Sequence, residues 1–360
     1  MTDHPIFKHG WIVVLAVGIC APALLSSYDL NLLGRFLAMA ILAIGIVLIW
    51  GEAGILTLGQ GVFFGMGGYC IAMYLKLSSL EAGALPDFME WSGVSALPWW
   101  WVPFANPVLA LLAIIVVPAV FSGVFAWLVF RRRIVGVYFA LITQAVALTF
   151  ATLLTSQQNT TGGYNGLTGF QTIFGLELGT TDGNRTLYWV TLAILALVFA
   201  ATRWLIGSRY GTVLRATRDG ENRVRFLGYN TTPYKVVAFA LSAVFAAIGG
   251  ALFTLHAGVV SPAFVGVVPS IEMIVWVAVG GRHSLWGAIS GVLIVNFAKD
   301  MISSALPEAW LYVLGLVFIL VVMFLPNGLA GLVDDLWQKY RTRDGSNDMA
   351  GSTGALEESK

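Results

Sequence analysis

A chain of 360 residues with 58% hydrophobic and 11% charged side chains and a mean hydropathy of +0.81 is too apolar for a soluble domain, which carries about a quarter charged residues. The formal net charge of +1 speaks for neither a nucleic-acid binder nor a strongly acidic surface. The chain reads as an integral membrane protein, and the information lies in where its few charges sit.

A bilayer core takes about 20 mostly apolar residues per helix. That rule predicts an all-α, polytopic protein of about ten spans, near 11–28, 32–50, 53–75, 104–130, 134–154, 187–206, 234–256, 267–281, 285–303 and 308–325. The first run, "WIVVLAVGICAPALL", has the look of a secretory signal. Because similar runs follow all along the chain, it reads instead as the first transmembrane helix. Cys20 follows Ile19 rather than a small residue, and Cys70 lies in another apolar run; two scattered cysteines make neither a metal spacing nor a disulfide framework. The segments 53–75, 267–281 and 285–303 are glycine-rich or short, as broken or re-entrant helices are.

Lys and Arg in short loops set orientation. Arg131 to Arg133, the stretch from 209 to 235, and Lys339, Arg341 and Arg343 fall on one side with Lys8, which makes that side cytoplasmic and puts both termini there. The loops 77–103 and 155–186, with "LPWWWVPF" and "QQNTTGGYNGLTGF", then face outward. Residues 1–333 form one membrane domain; the polar, Gly/Ser-rich residues 334–360 read as a flexible cytoplasmic tail.

The stretch "RYGTVLRATRDGENRVRFLGYNTTPYK", from Arg209 to Lys235, collects six basic and two acidic side chains. Val213, Leu214, Ala216, Val224, Phe226 and Leu227 alternate with the charges, and Gly211, Gly220 and Gly228 punctuate them. One or two short helices lying beside the membrane are expected, stopped by Gly228, with Pro233 opening the next span. Two readings stand side by side: a basic loop that only fixes topology, and a docking helix for a cytoplasmic partner. A topology signal alone has no need of Phe226, Leu227 and a defined helix stop. No G-x-x-x-x-G-K-[ST] and no Gly-Lys pair occurs, so the chain has no phosphate-cradling loop of that kind. A docking element without an engine fits the membrane subunit of an ATP-driven transporter.

Several stretches then resemble one family in the same order. "LIWGEAGILTLGQGVFFGMGGYCIAMYL", "RATRDGENRVRFLGYNTTPYKVVAFALSAVFAAIGGALF", "GVVSPAFVGVVPSIEMIVWVAVGGRHSLWGAISGVLIVNFAKD" and "WLYVLGLVFILVVMFLPNGLAGL" are similar to bacterial ABC permeases for branched-chain amino acids and urea, over roughly residues 28–333. "SYDLNLLGRFLAMAILAIGIVLIWGEAG", "TGGYNGLTGF" and "VVPSIEMIVWVAVGGR" look closest to the urea-type permease, the longer of two membrane subunits. Glu52, Gln60 and "RHSLWGA" depart from that pattern. The resemblance implies an inner-membrane importer of urea, with a branched-chain amino acid permease as the alternative. Its implied partners are a second permease subunit, two cytoplasmic ATPase subunits holding ATP and Mg, and a periplasmic binding protein. No cofactor, metal or nucleic acid is implied for this chain itself. The coupling role falls on Arg218, Glu221, Asn222, Arg225, Phe226, Leu227 and Gly228, with the apolar residues filling a groove on the ATPase and Arg218, Glu221 and Arg225 at its rim.

Pathway candidates come from the residues themselves. Glycines at 59, 61, 65, 67 and 68 suit close helix packing, while Thr57 and Gln60 offer hydrogen bonds to a pathway. Glu272 interrupts an apolar run, and ionisable groups at membrane depth are functional suspects; hydration at the outer interface is the plainer reading. With Trp276 and Asn296 these groups suffice for urea, whereas no paired site for an ammonium and a carboxylate is evident. Arg35 and the pair Lys299 and Asp300 are expected to snorkel or pair at the interface. His256 and His283 fall on opposite membrane faces and outside any HExxH pattern. A stand-alone urea channel or secondary transporter explains the spans but leaves the basic stretch idle; a membrane enzyme lacks a recognisable catalytic set.

Overall fold

The computed structural model describes residues 18–80, 84–134, 136–170, 172–305, 309–324 and 328–332. The first part of the expected 11–28 span, residues 11–17, and all of the expected 334–360 tail lie outside these residues. In chain order the helices are α1 (Ser27–Ile46, continued by a π turn at Val47–Glu52), α2 (Gln60–Ser78), α3 (Pro107–Arg131), α4 (Val137–Ser156), α5 (Thr181–Gly207), α6 (Arg209–Phe226), α7 (Thr231–Ala257), α8 (Val267–Gly280), α9 (Leu285–Ala305) and α10 (Trp310–Phe324). Six are long and apolar enough to cross a membrane: α1 with its π turn, α3, α4, α5, α7 and α9. Among the described residues, the expected spans 53–75, 267–281 and 308–325 correspond to shorter or less uniformly apolar elements. At 14 residues α8 is about 21 Å long, short of the roughly 30 Å hydrocarbon core.

Local chemistry sets the helix ends. The Asn106 side chain accepts from the Val108 amide at 2.9 Å and Pro107 follows it, which is how a cap and a first-turn proline start α3. Asn230 caps α7 in the same way, through the Thr232 amide at 3.2 Å. Pro233 therefore sits inside the first turn rather than opening the helix.

The centre of the fold is α7, which packs against α1, α2 and α3, and α2 is buried from Gln60 to Leu75. Backbones touch here. A Cβ on Gly67 would overlap the Ala247 carbonyl oxygen, and one on Gly250 would overlap that of Phe64. Small residues let helices approach this closely in lipid, where dispersion rather than water exclusion holds them together. Glycine makes the α8–α9 hairpin tight as well, since a Cβ on Gly291 would overlap the Trp276 carbonyl. On the outside, α3 carries exposed Val108, Leu112, Val116, Val120 and Val124, an apolar face suited to lipid or another membrane chain.

The two ends of the helix assembly differ. At one end lie Arg131 to Arg133, α6, the π turn of α1 and the turn at 281–284; Lys235 at the start of α7 sits 5.7 Å over the Phe130 ring at the end of α3. At the other end lie short pieces of sheet. Strand β1 (Leu167–Thr168) pairs antiparallel with β4 (Val259–Val260), and β2 (Thr172–Ile173) with β3 (Leu176–Glu177). The β2–β3 turn has both Phe174 and Gly175 at positive φ, the twist a two-residue hairpin needs. Trp101 joins this end by donating its indole N–H to the Thr160 carbonyl at 3.0 Å.

Candidate functional site

Two groups of residues bear on function: a charged assembly at the basic end and a polar nest at membrane depth. The basic end is organised by α6, whose two helical pieces meet at Gly220, where φ −176° and ψ 74° leave the helical region. Leu214, Thr217 and Val224 face inward. The sequence expectation of one or two short helices between spans matches this bent element.

The second piece is tied to α7 through Glu221. Arg225 Nη2 donates to Glu221 Oε1 at 2.8 Å, and the Thr231 hydroxyl donates to the same oxygen at 2.8 Å. Lys235 Nζ donates to the other oxygen, and its side chain is only 6% exposed. Burial by itself would raise the Glu221 carboxyl; the hydrogen bonds from Lys235, Arg225 and Thr231, with the Lys235 charge, hold its pKa down at about 2. A nearly buried ammonium needs a counter-charge, and Glu221, expected at the rim with Arg225, supplies it to Lys235 of α7 while both acid and arginine stay partly exposed.

Two large apolar side chains remain outward at the end of α6. Phe226 is 91% and Leu227 77% exposed, and Asn222 and Gly228 are exposed beside them. Gly228 has φ +90°, with its amide on the Arg225 carbonyl at 2.9 Å and the Tyr229 amide on that of Val224 at 3.3 Å. A left-handed glycine of this kind ends a helix, and here it presents Phe226 and Leu227 at the tip. Full burial of two such side chains against a partner is worth about 1.5 to 3 kcal/mol each.

The first piece of α6 grips the end of α1. Arg215 Nη1 pairs with Glu52 Oε2 at 3.0 Å, and Arg218 Nη1 donates to the Gly51 carbonyl at 2.6 Å while its Nε donates to Asp219 at 2.8 Å. His283, in the turn between α8 and α9, lies 3.5 Å from Arg218 Nη1. Burial first, then the charges of Arg282 and Arg218, lower the His283 pKa. Sequence reasoning put Arg218 at the rim of a partner's groove and did not name Arg215, Glu52, Thr231, Lys235 or His283 as its neighbours. The signal for Glu52 was its departure from the pattern of the similar permeases.

The polar nest surrounds the start of α2. After the π turn the chain runs without regular structure through 53–59. Gln60 Nε2 donates to Ser242 Oγ at 3.1 Å, and Ser242 lies about 17 Å along α7, so α2 begins near the middle of the membrane. Irregular backbone at that depth must be buried in protein or line a cavity. Its amides are met by side chains: Leu58 N–H by Thr143 Oγ1 at 3.0 Å, Gly61 N–H by Ser270 Oγ at 3.2 Å and Gly59 N–H by Thr57 Oγ1 at 3.4 Å. The broken-segment expectation and the glycine-packing expectation thus both describe α2, the first its beginning and the second its body. Nothing local in the sequence marks Thr143, Ser242 or Ser270 for this role.

Of the remaining pathway candidates, Glu272, Trp276 and Asn296 lie on α8 and α9. Glu272 Oε2 accepts from Lys299 Nζ at 2.7 Å, so the lysine expected to snorkel or pair at the interface reaches across the hairpin. Asn296 Nδ2 donates to the Val292 carbonyl at 2.8 Å. Gln60 Oε1 and Trp276 Nε1 are buried without a hydrogen-bond partner.

Long apolar helices, a buried helix start and a charged helix at one end define a polytopic helical membrane protein. The family described as the permease component of the branched-chain amino acid transport system matches residues 29–322, and the chain belongs to that family. It is 24% identical over 340 residues to the high-affinity branched-chain amino acid transport system permease protein LivM of Salmonella typhimurium, covering 88% of this chain and 73% of the relative. It is 28% identical over 213 residues to the probable branched-chain amino acid transport permease protein LivM of Methanocaldococcus jannaschii, covering 55% and 60%. It is 30% identical over 146 residues to the permease protein LivH of the same kind of system in Escherichia coli K12, covering 40% and 46%. No solved structure matches. The urea-type branch expected from the sequence gains no support from these relatives, which carry amino acid names.

Proposed function

We propose that this chain is a membrane-spanning subunit of an ATP-driven importer for branched-chain aliphatic amino acids, set in the inner membrane with its basic end and both termini in the cytoplasm. The observation that carries the reading is the Phe226 and Leu227 tip, held outward by Gly228 on a helix anchored from behind. A soluble surface does not keep two adjacent large apolar residues at a helix end without use. Separate ATPase subunits holding ATP and Mg seat this tip, a second permease subunit completes the pathway, and a periplasmic binding protein delivers the ligand. The concentration of Arg131 to Arg133 and the α6 arginines at one end supports the cytoplasmic assignment.

The amino acid ligand replaces urea because the family and the relatives are of that kind. The pathway runs past Thr57 and Gln60 and past Glu272, Trp276 and Asn296. A buried acceptor at Gln60 Oε1 and a buried donor at Trp276 Nε1 are the complementary pair that an ammonium and a carboxylate require. Accumulating a zwitterion a hundredfold costs about 2.7 kcal/mol, and an uncharged total gains nothing from the membrane potential. ATP hydrolysis in the partner subunits supplies that work.

Labelled leucine uptake by liposomes containing the full complex and its binding protein tests the reading, with ATP or a non-hydrolysable analogue and with urea as competitor. Uptake that needs hydrolysis, ignores urea and vanishes in Phe226→Asp or Gly228→Pro at unchanged membrane level is the expected result. ATP-dependent urea uptake would move the ligand, and flux of either solute without ATP would replace the importer by a channel.

A further inference from the structure

We infer that Glu52 and Arg215, together with the hold of Arg218 on the Gly51 carbonyl, are positioning residues that carry a displacement of α6 into the first span and the α8–α9 hairpin. The inference rests on the docking reading of α6, and adds to it where the motion goes. Three chain segments meet at this point. The first is the front half of α6, from which Arg215 and Arg218, three residues apart, project from one face. The second is the π turn that ends α1, where Glu52 is buried with its side chain 9% exposed. The third is the turn at 281–284: a Cβ on Gly51 would overlap the Arg282 carbonyl oxygen, and the Arg282 guanidinium lies 5.8 Å over the Trp50 ring.

Arg215 also donates to the Ile206 carbonyl at 3.1 Å, at the end of α5, so one guanidinium spans α5, α6 and α1. The bend at Gly220 divides α6 into a front half that grips α1, and also donates the Tyr210 hydroxyl to the Tyr234 carbonyl of α7 at 2.7 Å, and a second half tied to α7 through Glu221. Pushing the exposed tip therefore loads two different spans. The α1 side is the one continuous with the irregular 53–59 segment and the start of α2, where the pathway candidates Thr57 and Gln60 lie. A π turn is a frequent feature of functional helices because its extra residue breaks the regular ladder, and Glu52 is its last residue. A purely structural salt bridge has no reason to sit at this junction, since burying the pair brings little net stability.

The test uses the whole complex in liposomes and reads leucine uptake and ATP hydrolysis in the same vesicles. Glu52→Gln keeps the shape and removes the charge; Glu52→Arg and Arg215→Glu reverse one partner each, and their combination restores a pair. The expected result is uptake per ATP lower by about tenfold in each single variant, with the ATPase still co-purifying and basal hydrolysis unchanged. The combined swap should recover most of the loss. Wild-type uptake per ATP in Glu52→Gln overturns the inference, whether or not the charge reversals fold; so does a loss that tracks only the amount of folded chain. Phe226→Asp separates the two readings. If it leaves uptake intact, docking through α6 is wrong; if it abolishes uptake while Glu52→Gln does nothing, docking stands and the relay falls.

Discussion

The helix core and the basic end of this protein are held together by opposite means. Where α2 crosses α7, backbones touch through Gly67 and Gly250 and leave no room for adjustment. Around α6 the contacts are long side chains, Arg215 to Glu52, Arg218 to Gly51 and Lys235 to Glu221, which bridge separate elements. Backbone contact fixes one geometry, while ion pairs between elements exchange partners and survive small displacements. The comparison assigns rigidity to the middle and transmission to the end.

Breaking the core should have the largest effect. Gly67→Leu places a side chain on the Ala247 carbonyl, and overpacking against backbone has no soft neighbour to yield. The yield of monodisperse chain in detergent should fall several-fold, well before transport can be measured.

The clamp behind the tip comes next. Lys235→Met leaves Glu221 with Arg225 and Thr231 only, and removing one partner of a buried pair costs about 3 to 5 kcal/mol, less here because Glu221 keeps those two donors and some solvent. A lower unfolding temperature is expected, with the membrane level retained. Acid should act on the same clamp. The folded Glu221 pKa of about 2 lies below its ordinary value of 4.5, so its stabilisation is complete above pH 4.5 and is lost as pH falls toward 2. In Glu221→Gln that part of the acid transition should disappear.

The smallest effect belongs to His283, which faces Arg218, Arg282, Asp219 and Glu52. Its pKa is lowered, so it is neutral near pH 7, and as pH falls below the ordinary histidine value of 6.5 the unfolded imidazole takes a proton first and the folded arrangement loses stability. A modest decline in uptake per ATP on acidification is expected, and His283→Asn should flatten it. An unchanged profile in that variant would remove His283 from the assembly.

Much of this was legible in sequence. Long apolar runs gave α1, α3, α4, α5, α7 and α9 because a lipid-facing helix must be apolar nearly all along its length. The stop at Gly228 was legible because helix ends follow local rules. Partners distant along the chain were not. Glu52 and Arg215 are 163 positions apart, and no periodicity brings them together. Lys299 reads in sequence as a residue that snorkels or pairs at the interface, and nothing there points it to Glu272 on the neighbouring helix. Ser242, Ser270 and Thr143 gave no signal at all, since their importance lies in amides that another segment leaves open at membrane depth.

Site-directed cross-linking tests the central claim most directly. The chain has two cysteines, Cys20 exposed and Cys70 buried, so a Cys20→Ser background is suitable for single-site probes. In the assembled complex, Leu227→Cys should cross-link to the ATPase subunit, whereas Trp91→Cys, 84% exposed in the loop between α2 and α3, should not. Absence of a Leu227 adduct, or a Trp91 adduct with the ATPase, would contradict both the docking tip and the sidedness on which it rests.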